Sequence, residues 1–532
     1  MQHVRGAYKH KTIDCVKKMD LKKRFIPVEG CETFQWLRFT IPYRHVAAGI
    51  LSLGIVLRLL GLNKGLWTDE YASLKVITSG DFLHLLSLQN KPPLFYLFHK
   101  LCSLISTSEP LLRLTSVCFG VGTLVMVMRW IKRYSLSAGL LAGLLCATMP
   151  IMLRYSQEIR GYSLLLLAAV CSFYFASRLA ASPEESSEYI GVSLGLSVAV
   201  ATHLTAIMLV PAVLVFIAFS GKDLRRINPA KSLLAIAAPS IIFLCFYLFF
   251  LSRLPDQGGW WMPAVSFSSA LSTVSETLGI SYLLAAARTI QARSSLLALI
   301  CAYGIKLILI GLCISLAFFG DWRRSLPFLV AAVSYWILLI GYSLLAIPVF
   351  WYRIALPGLI PFIGFIALQI DGMRIPRVKR ASLAGIIILC TVFGAGWTVH
   401  SAWVPYEQWK QLSESLKAQW TQNDLVLFYP HYAAGPVRYY FPDLSTERGL
   451  PVAEGIEMKK VAEEILGHMK RREETDGGHT LFLVVRADLR GRKGLRTYHN
   501  LLSYLEAECG PSVLSKKFGN LSLSKYTCPL PK

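Results

Sequence analysis

Charge is scarce in this sequence: only 16% of its 532 residues are Asp, Glu, Lys or Arg. Acids are scarcer still, 32 against 55 Lys and Arg, while 54% of residues are hydrophobic. A soluble globule rarely holds so much apolar surface, whereas repeated runs of about 20 apolar residues mark spanning helices. The twelve cysteines show no CxxC and no Cys/His ligand spacing, so no metal motif is readable. Most of them read as small apolar packing residues. Cys509 and Cys528 stand alone in the tail, where an oxidising compartment would allow one disulfide. Gly491-Arg-Lys-Gly494 lacks the strand and helix context of a nucleotide fingerprint. Heptads, internal repeats and low-complexity tracts are missing. No cleavable signal peptide is expected, because residues 1–40 are polar and basic and the first apolar run follows them.

What the chain does carry is a net charge of +23, which in a soluble protein would suggest nucleic acid. Its placement argues otherwise. Residues 1–400 hold 37 Lys and Arg against 17 acids, and residues 401–532 hold 18 against 15. The excess lies between apolar runs, where positive loops set orientation and meet anionic lipid. The expected partner is the lipid bilayer, and no nucleic acid.

The pattern predicts a mainly α, polytopic membrane protein of about 11 transmembrane helices, with a small C-terminal α/β extracytoplasmic domain. Residues 1–44 form a basic segment, ten Lys and Arg against four acids, which the positive-inside rule keeps cytoplasmic. The transmembrane domain is 45–400. Its first run, 45–62, leads into an outer loop over 63–110. Within that loop Pro92 to Ser106 is too short to cross, since about 15 helical residues reach only ~22 Å. It reads as a helix along the outer interface. Runs 111–129, 136–153 and 161–181 then alternate and leave Arg129, Lys132 and Arg133 in the cytoplasm. Residues 190–219 read as two short spans bent at Thr202-His203, followed by 232–251, 296–318, 326–346, 353–370 and 382–400. The outer loop 252–295 contains Gly258-Gly259-Trp260-Trp261-Met262-Pro263, where the tryptophans suit an interfacial anchor or a stacking surface for sugar or lipid tail. In residues 401–532, segments 424–429 and 480–485 read as buried strands. Segments 405–420, 456–472 and 495–508 read as amphipathic helices.

This topology brings two acidic sites to one outer face, Asp69-Glu70 after the first run and Glu158 after the third. Carboxylates at a membrane–water boundary reach a polar substrate and a lipid tail together. Group transfer from a lipid phosphate needs a base for the acceptor, cations for the departing phosphate and a dry cleft. Asp69 or Glu70 is the candidate base, with Glu158 as a second carboxylate. Lys91, Arg160 and Arg353 are candidate phosphate ligands, and Tyr155 lies in the same segment as Arg160. His203, at a span break, is a candidate proton carrier or metal ligand. Each has a plainer reading. Thr68-Asp69-Glu70 is also a helix cap, Arg154 and Arg160 also suit snorkelling to headgroups, and His203 and Arg353 also suit packing and interfacial anchoring. Arg58, inside the first run, is expensive in lipid and should face the bundle or a cavity.

Three motifs in order carry a family resemblance: Leu66-Trp67-Thr68-Asp69-Glu70-Tyr71-Ala72, Lys91-Pro92-Pro93-Leu94, and Arg154-Tyr155-Ser156-Gln157-Glu158-Ile159-Arg160-Gly161-Tyr162. They resemble the signatures of glycosyltransferase family 39-type proteins. These are membrane GT-C transferases, the superfamily of the protein O-mannosyltransferases and the lipid A aminoarabinose transferase. Leu204-Thr205 after Thr202-His203, and Tyr352-Arg353-Ile354-Ala355-Leu356-Pro357, are similar to later family segments. The resemblance covers roughly residues 45–400. It implies the GT-C fold, a polyprenyl-phosphate sugar donor, inversion at the anomeric carbon, and an active site on the periplasmic or lumenal face of a multi-pass, plasma (inner) membrane protein. It gives catalysis first to Asp69, with Glu70 beside it and Glu158 as the second acid, and puts Lys91 near the phosphate. Asn90 stands where the aminoarabinose branch carries a glutamate, which puts a metal site in doubt. The resemblance fixes no cofactor, and a divalent metal on Glu158 or His203 is left open. The acceptor is left as protein, lipid or glycan. The alternative is a polytopic transporter or lipid flippase, which would more often set its acids at mid-membrane depth in two similar halves.

Overall fold

A computed structural model describes residues 33–36, 39–87, 92–221, 226–251, 262, 264–280, 296–389, 396, 407–422, 424–445, 447–449, 480–486 and 492–527. Asn90 and Lys91, the Trp260-Trp261 pair, the helix expected over 456–472, Gly491 and Cys528 lie outside these residues. The fold is mainly helical, 72% of the described residues. Its Cα packing divides it into two units, Met1–Leu62 with Gly80–Thr398, and Asn63–Ser79 with Val399–Lys532.

The first unit opens with a short antiparallel hairpin, β1 (Thr33–Trp36) and β2 (Phe39–Pro42). Helix α1 (Tyr43–Leu59) follows; α2 (Thr68–Thr78) belongs to the second unit. Then come α3 (Phe82–Ser87), α4 (Leu94–Ser103), α5 (Glu109–Lys132), α6 (Leu136–Thr148), α7 (Pro150–Ser156) and α8 (Tyr162–Leu179). After these run α9 (Ser186–Thr202), a 3-10 turn (Leu204–Met208), α10 (Leu209–Ser220), α11 (Pro229–Leu251) and α12 (Phe267–Thr277). The unit closes with α13 (Leu296–Phe319), α14 (Trp322–Leu345), α15 (Leu356–Asp371) and α16 (Pro376–Leu389).

Four described helices, α5, α8, α11 and α14, are long and apolar enough to cross a membrane, or five spans if the bent pair α6–α7 is one. The ten residues of α4 make about 15 Å of helix, too short to cross. Helix α9 ends at Thr202, and His203 is extended (φ −153°, ψ 123°) before the 3-10 turn, so the interruption expected there is present. An aromatic cluster ties four helices together: Trp130 of α5 stacks on Phe173 of α8 at 5.5 Å, and Phe328 of α14 meets Trp130 at 4.9 Å and Phe216 of α10 at 5.1 Å. Along α11, by contrast, Leu233, Leu234, Ile241, Leu244 and Leu248 are exposed. Apolar side chains on the outside of a helix this hydrophobic are lipid-facing.

The break between α6 and α7 positions the candidate site. Pro150, the first residue of α7, supplies no N–H and its ring blocks a continuing helix, so the chain turns through 62° there. A helix ending in an apolar medium leaves carbonyls that must find donors. Arg58, wholly buried in α1, provides them: its guanidinium donates to Cys146 O at 3.0 Å and Ala147 O at 3.3 Å in the last turn of α6. It also reaches Gly54 O at 3.0 Å and Ser156 Oγ at 3.2 Å. The favour is returned by Gln157, whose amide donates to Leu57 O, Arg58 O and Leu60 O at 2.9, 3.1 and 2.6 Å, where α1 ends. Gly120 of α5 allows the approach, since a Cβ there would sit 2.2 Å from Ser156 Oγ.

The second unit contains α2 (Thr68–Thr78), α17 (Trp409–Lys417), β3 (Leu425–Tyr429), a 3-10 turn (His431–Ala433), α18 (Ala434–Tyr440), β4 (Glu447–Gly449), β5 (Thr480–Arg486), α19 (Arg492–Cys509), β6 (Leu514–Phe518) and β7 (Leu521–Thr527). The five strands form one sheet in the order β4-β3-β5-β7-β6, with β4-β3-β5 parallel and β5-β7-β6 antiparallel. Alternation sorts side chains to two faces. Val426, Phe428, Phe482 and Val484 pack with Trp409, Leu412, Leu416 and Val437, while Leu427, Tyr429, Leu481 and Leu483 pack with Leu501 and Leu505. Burial on both faces is why the central strands read as unbroken apolar runs. Cys509 is disulfide-bonded.

Replacing Arg58 with Leu removes the donors from the end of α6 and should lower stability by about 3 kcal/mol or more. Gln157→Leu should act on the same joint, so the double variant should cost less than the sum of the two. Thermal unfolding of the detergent-purified chain measures this, and strict additivity would refute a shared joint.

Candidate functional site

The second unit holds Asp69 and Glu70 in the first turn of α2. That turn is capped by a distant residue. Glu407, 1% exposed, accepts from the Thr68 amide and the Thr68 hydroxyl, both at 2.7 Å, and from the Trp409 indole at 2.7 Å, all on one oxygen. Its other oxygen lies 2.8 Å from the Arg486 guanidinium. A carboxylate at a helix N-terminus satisfies otherwise orphaned N–H groups and favours the local dipole. Leu66 N–H donates to the Tyr440 hydroxyl at 2.7 Å, which fixes the chain entering the helix. Gly435 allows Tyr71 to lie close, since a Cβ there would be 2.4 Å from the Tyr71 ring. Burial pushes the Tyr71 phenol above its ordinary range, against the opposing charge of Arg438.

The two adjacent acids are not equivalent. Glu70 is fully buried and its Oε2 accepts from the Trp67 amide at 3.4 Å, closing the turn on itself. Asp69 is half-buried, and its backbone carbonyl accepts from the Ser73 hydroxyl. The plain helix-cap reading therefore describes Glu70, and Asp69 keeps exposure to solvent.

In the first unit, the segment after α7 gathers five of the expected residues and their neighbours. Glu158, 2% exposed, pairs with Arg154 at 3.0 Å, so Arg154 is held by a carboxylate. Tyr155 is completely buried, edge-on to Tyr162 at 4.8 Å. Its phenol lies in the electrostatic field of Tyr352, Arg154, Glu158 and Arg353. Arg160 is buried and lies over the Tyr162 ring at 5.9 Å, and Tyr162 in turn meets His203 at 6.1 Å. The His203 Nδ1 is engaged by the Thr205 hydroxyl at 2.8 Å. The turn bearing buried Arg353 is pinned by Tyr335, whose hydroxyl donates to Ile354 O at 3.0 Å, and by the Trp336 indole on Ala355 O at 2.9 Å. Thr277 adds a bond to Tyr352 O at 3.3 Å.

The Tyr155 hydroxyl is buried without a hydrogen-bond partner among the described residues. An orphaned phenol ringed by charged groups is costly unless a polar ligand atom meets it. Among the described residues no three His, Cys, Asp or Glu side chains gather as a metal-binding set. Lys91 lies outside the described residues.

Residues 90–249 match the family model described as dolichyl-phosphate-mannose-protein mannosyltransferase. Among solved structures, ArnT from Cupriavidus metallidurans bound to undecaprenyl phosphate matches with a TM-score of 0.53 at 12% identity, covering 91% of this chain and 97% of that one. The chain has the GT-C fold. The Pmt1-Pmt2 protein O-mannosyltransferase complex of S. cerevisiae bound to the sugar donor matches more weakly, TM-score 0.31 at 17% identity, over 43% of this chain and 35% of that one. The Archaeoglobus fulgidus oligosaccharyltransferase tethered with an acceptor peptide gives a TM-score of 0.45 at 12% identity, over 87% and 71%. No curated protein sequence matches the chain. The resemblance read from the three motifs thus finds its counterpart in a GT-C structure that spans nearly all of the chain.

Glu407, Arg486 and Tyr440 were not marked by the sequence. Glu407→Ala would strip the acceptor from three donors and leave Arg486 beside an apolar gap. It should cost about 3 kcal/mol and speed hydrogen exchange at the Thr68 amide. Unchanged exchange there would show that Glu407 does not hold the helix start.

Proposed function

We propose that this chain is an integral membrane glycosyltransferase that moves a sugar from a polyprenyl-phosphate donor to an acceptor on the extracytoplasmic face. The observation carrying this reading is the Tyr155 hydroxyl, partnerless among the described residues, close to Glu158, Arg154 and Arg353 in a chain of GT-C fold. The family match and the undecaprenyl phosphate named for the matched ArnT structure support a lipid-phosphate donor. In this reading the chain crosses the membrane eleven times, with residues 1–44 cytoplasmic and residues 401–532 extracytoplasmic.

Each residue then has a part in the chemistry. The acceptor's hydroxyl or amine gives its proton to Asp69 as its heteroatom bonds the anomeric carbon. The bond from that carbon to the phosphate oxygen breaks from the opposite side, inverting the centre, and the electron pair stays on the lipid phosphate. Arg160, Arg353 and Lys91 neutralise that phosphate, and the Tyr155 hydroxyl donates to it. Glu158 orients Arg154 and balances its charge. His203, engaged by Thr205, positions the Tyr162 ring under Arg160. Glu70 fixes the turn that carries Asp69.

Asp69→Asn should leave folding and donor binding intact and lower transfer by about 10²–10⁴-fold. In cells lacking the native copy, the variant should let one lipid-linked sugar accumulate while one surface decoration disappears. Near-normal decoration in the Asp69→Asn strain would remove Asp69 from its role.

A further inference from the structure

A second group of cations lies at the other end of the same helices. Arg129 and Arg133 at the end of α5 and Arg178 near the end of α8 converge on one phenol, Tyr174. The Tyr174 hydroxyl accepts from Arg129 Nε at 3.3 Å. The guanidinium carbons of Arg129, Arg133 and Arg178 lie 5.6, 5.9 and 5.9 Å from its ring centroid. On the same turn Lys132 sits over the Tyr43 ring at 4.6 Å. Along α8, the seventeen residues from Tyr162 to Arg178 span about 24 Å. The cluster is therefore most of a hydrocarbon thickness away from the Tyr155–Glu158 group.

The charges are poorly balanced. Buried Glu188 neutralises Arg178, at 2.5 Å from its Nη2. Among the described residues no carboxylate pairs with Arg129 or Arg133, and both are exposed. Three like charges around one ring repel each other, yet Tyr174, itself buried, holds them in place by its hydroxyl and its π face. Guanidiniums fixed in this way lose little freedom on binding an anion, and their forked donors match phosphate oxygens.

The surroundings say which phosphate. Helices α5 and α8 both qualify as spans and both end at this cluster, so it stands at headgroup depth. Val125, one turn before Arg129 on the same side of α5, is 42% exposed. An apolar surface leading directly to a fixed pair of cations fits an acyl chain below a charged headgroup. We propose that Arg129, Arg133 and Arg178, organised by Tyr174, form a binding site for the phosphate headgroup of an anionic membrane lipid. It is separate from the Tyr155–Glu158 site and does not depend on the transferase reading.

The test uses the full chain, purified in detergent, with lipid binding followed by native mass spectrometry and by shift of the thermal midpoint. The ligands are phosphatidic acid, phosphatidylglycerol, phosphatidylcholine and inorganic phosphate. The native chain should prefer the two anionic lipids to phosphatidylcholine by about tenfold or more. Arg129→Gln with Arg133→Gln should abolish that preference. Arg374→Gln with Arg377→Gln, which removes the same charge from two exposed arginines elsewhere in the unit, should keep it. Tyr174→Phe, which keeps the ring and deletes the acceptor for Arg129, should weaken it severalfold. Equal loss in both double variants would mean diffuse surface charge and overturn the proposal. Binding of inorganic phosphate as strong as that of the lipids would overturn the assignment to a headgroup.

Discussion

Within the helical unit everything near the candidate site depends on how carbonyl groups are satisfied at two helix ends in an apolar medium. Helix α6 must stop at Met149-Pro150, and α1 must stop before the chain leaves toward Asn63. Each stop exposes carbonyls that water does not reach. Arg58 and Gln157 answer this reciprocally, each from the other's side of the joint. A guanidinium fully inside the bundle is expensive, and here four neutral acceptors, including two orphaned carbonyls, take up its donors. The result is that Ser156 and Gln157 are fixed from below, so Tyr155 on one side and Glu158 on the other are presented from a rigid turn.

A similar economy governs the acids. Glu407 and Glu70 are both buried and both accept backbone N–H groups around the start of α2. They hold the turn from two directions, one local and one from 339 residues away. Asp69 is the acid of this group with solvent exposure, and a rigid support on either side gives it a defined position. Placement of a reacting group by neighbours that are themselves locked is what preorganised catalysis requires.

Hydropathy made the helical character legible, and charge bookkeeping located the interruption at His203. Alternation and apolar runs located β3 and β5. The span count was less legible, for a physical reason. A run read as one crossing, 136–153, is two helices bent at Pro150, and α15 has sixteen residues, about 24 Å of helix where a straight span needs ~30 Å. The arginine at position 58 was expected to turn inward, and it does, but its partners were invisible because they are backbone carbonyls. Glu407 was invisible too: the amphipathic pattern places it inside a helix over 405–420, whereas α17 starts at Trp409 and the partners of Glu407 are set by tertiary packing. In the motif Arg154 to Tyr162, sequence order placed Gln157 beside Glu158, while the structure shows that it faces α1 and serves the joint.

The two cation groups on α5, α8 and their neighbours follow from one rule, since charges are excluded from the apolar middle of a span and collect at its ends. Their chemistry differs with burial. Arg160 and Arg353 are 7% and 6% exposed, and electrostatic attraction to a phosphate is stronger where water is excluded. Arg129 and Arg133 are exposed, so their attraction is screened and suits a ligand that is present at high local concentration and held for only part of the time. A bilayer supplies such a ligand continuously. One helix, α8, thus joins a dry end able to stabilise charge during a reaction to a wet end able to register the helix against the membrane surface.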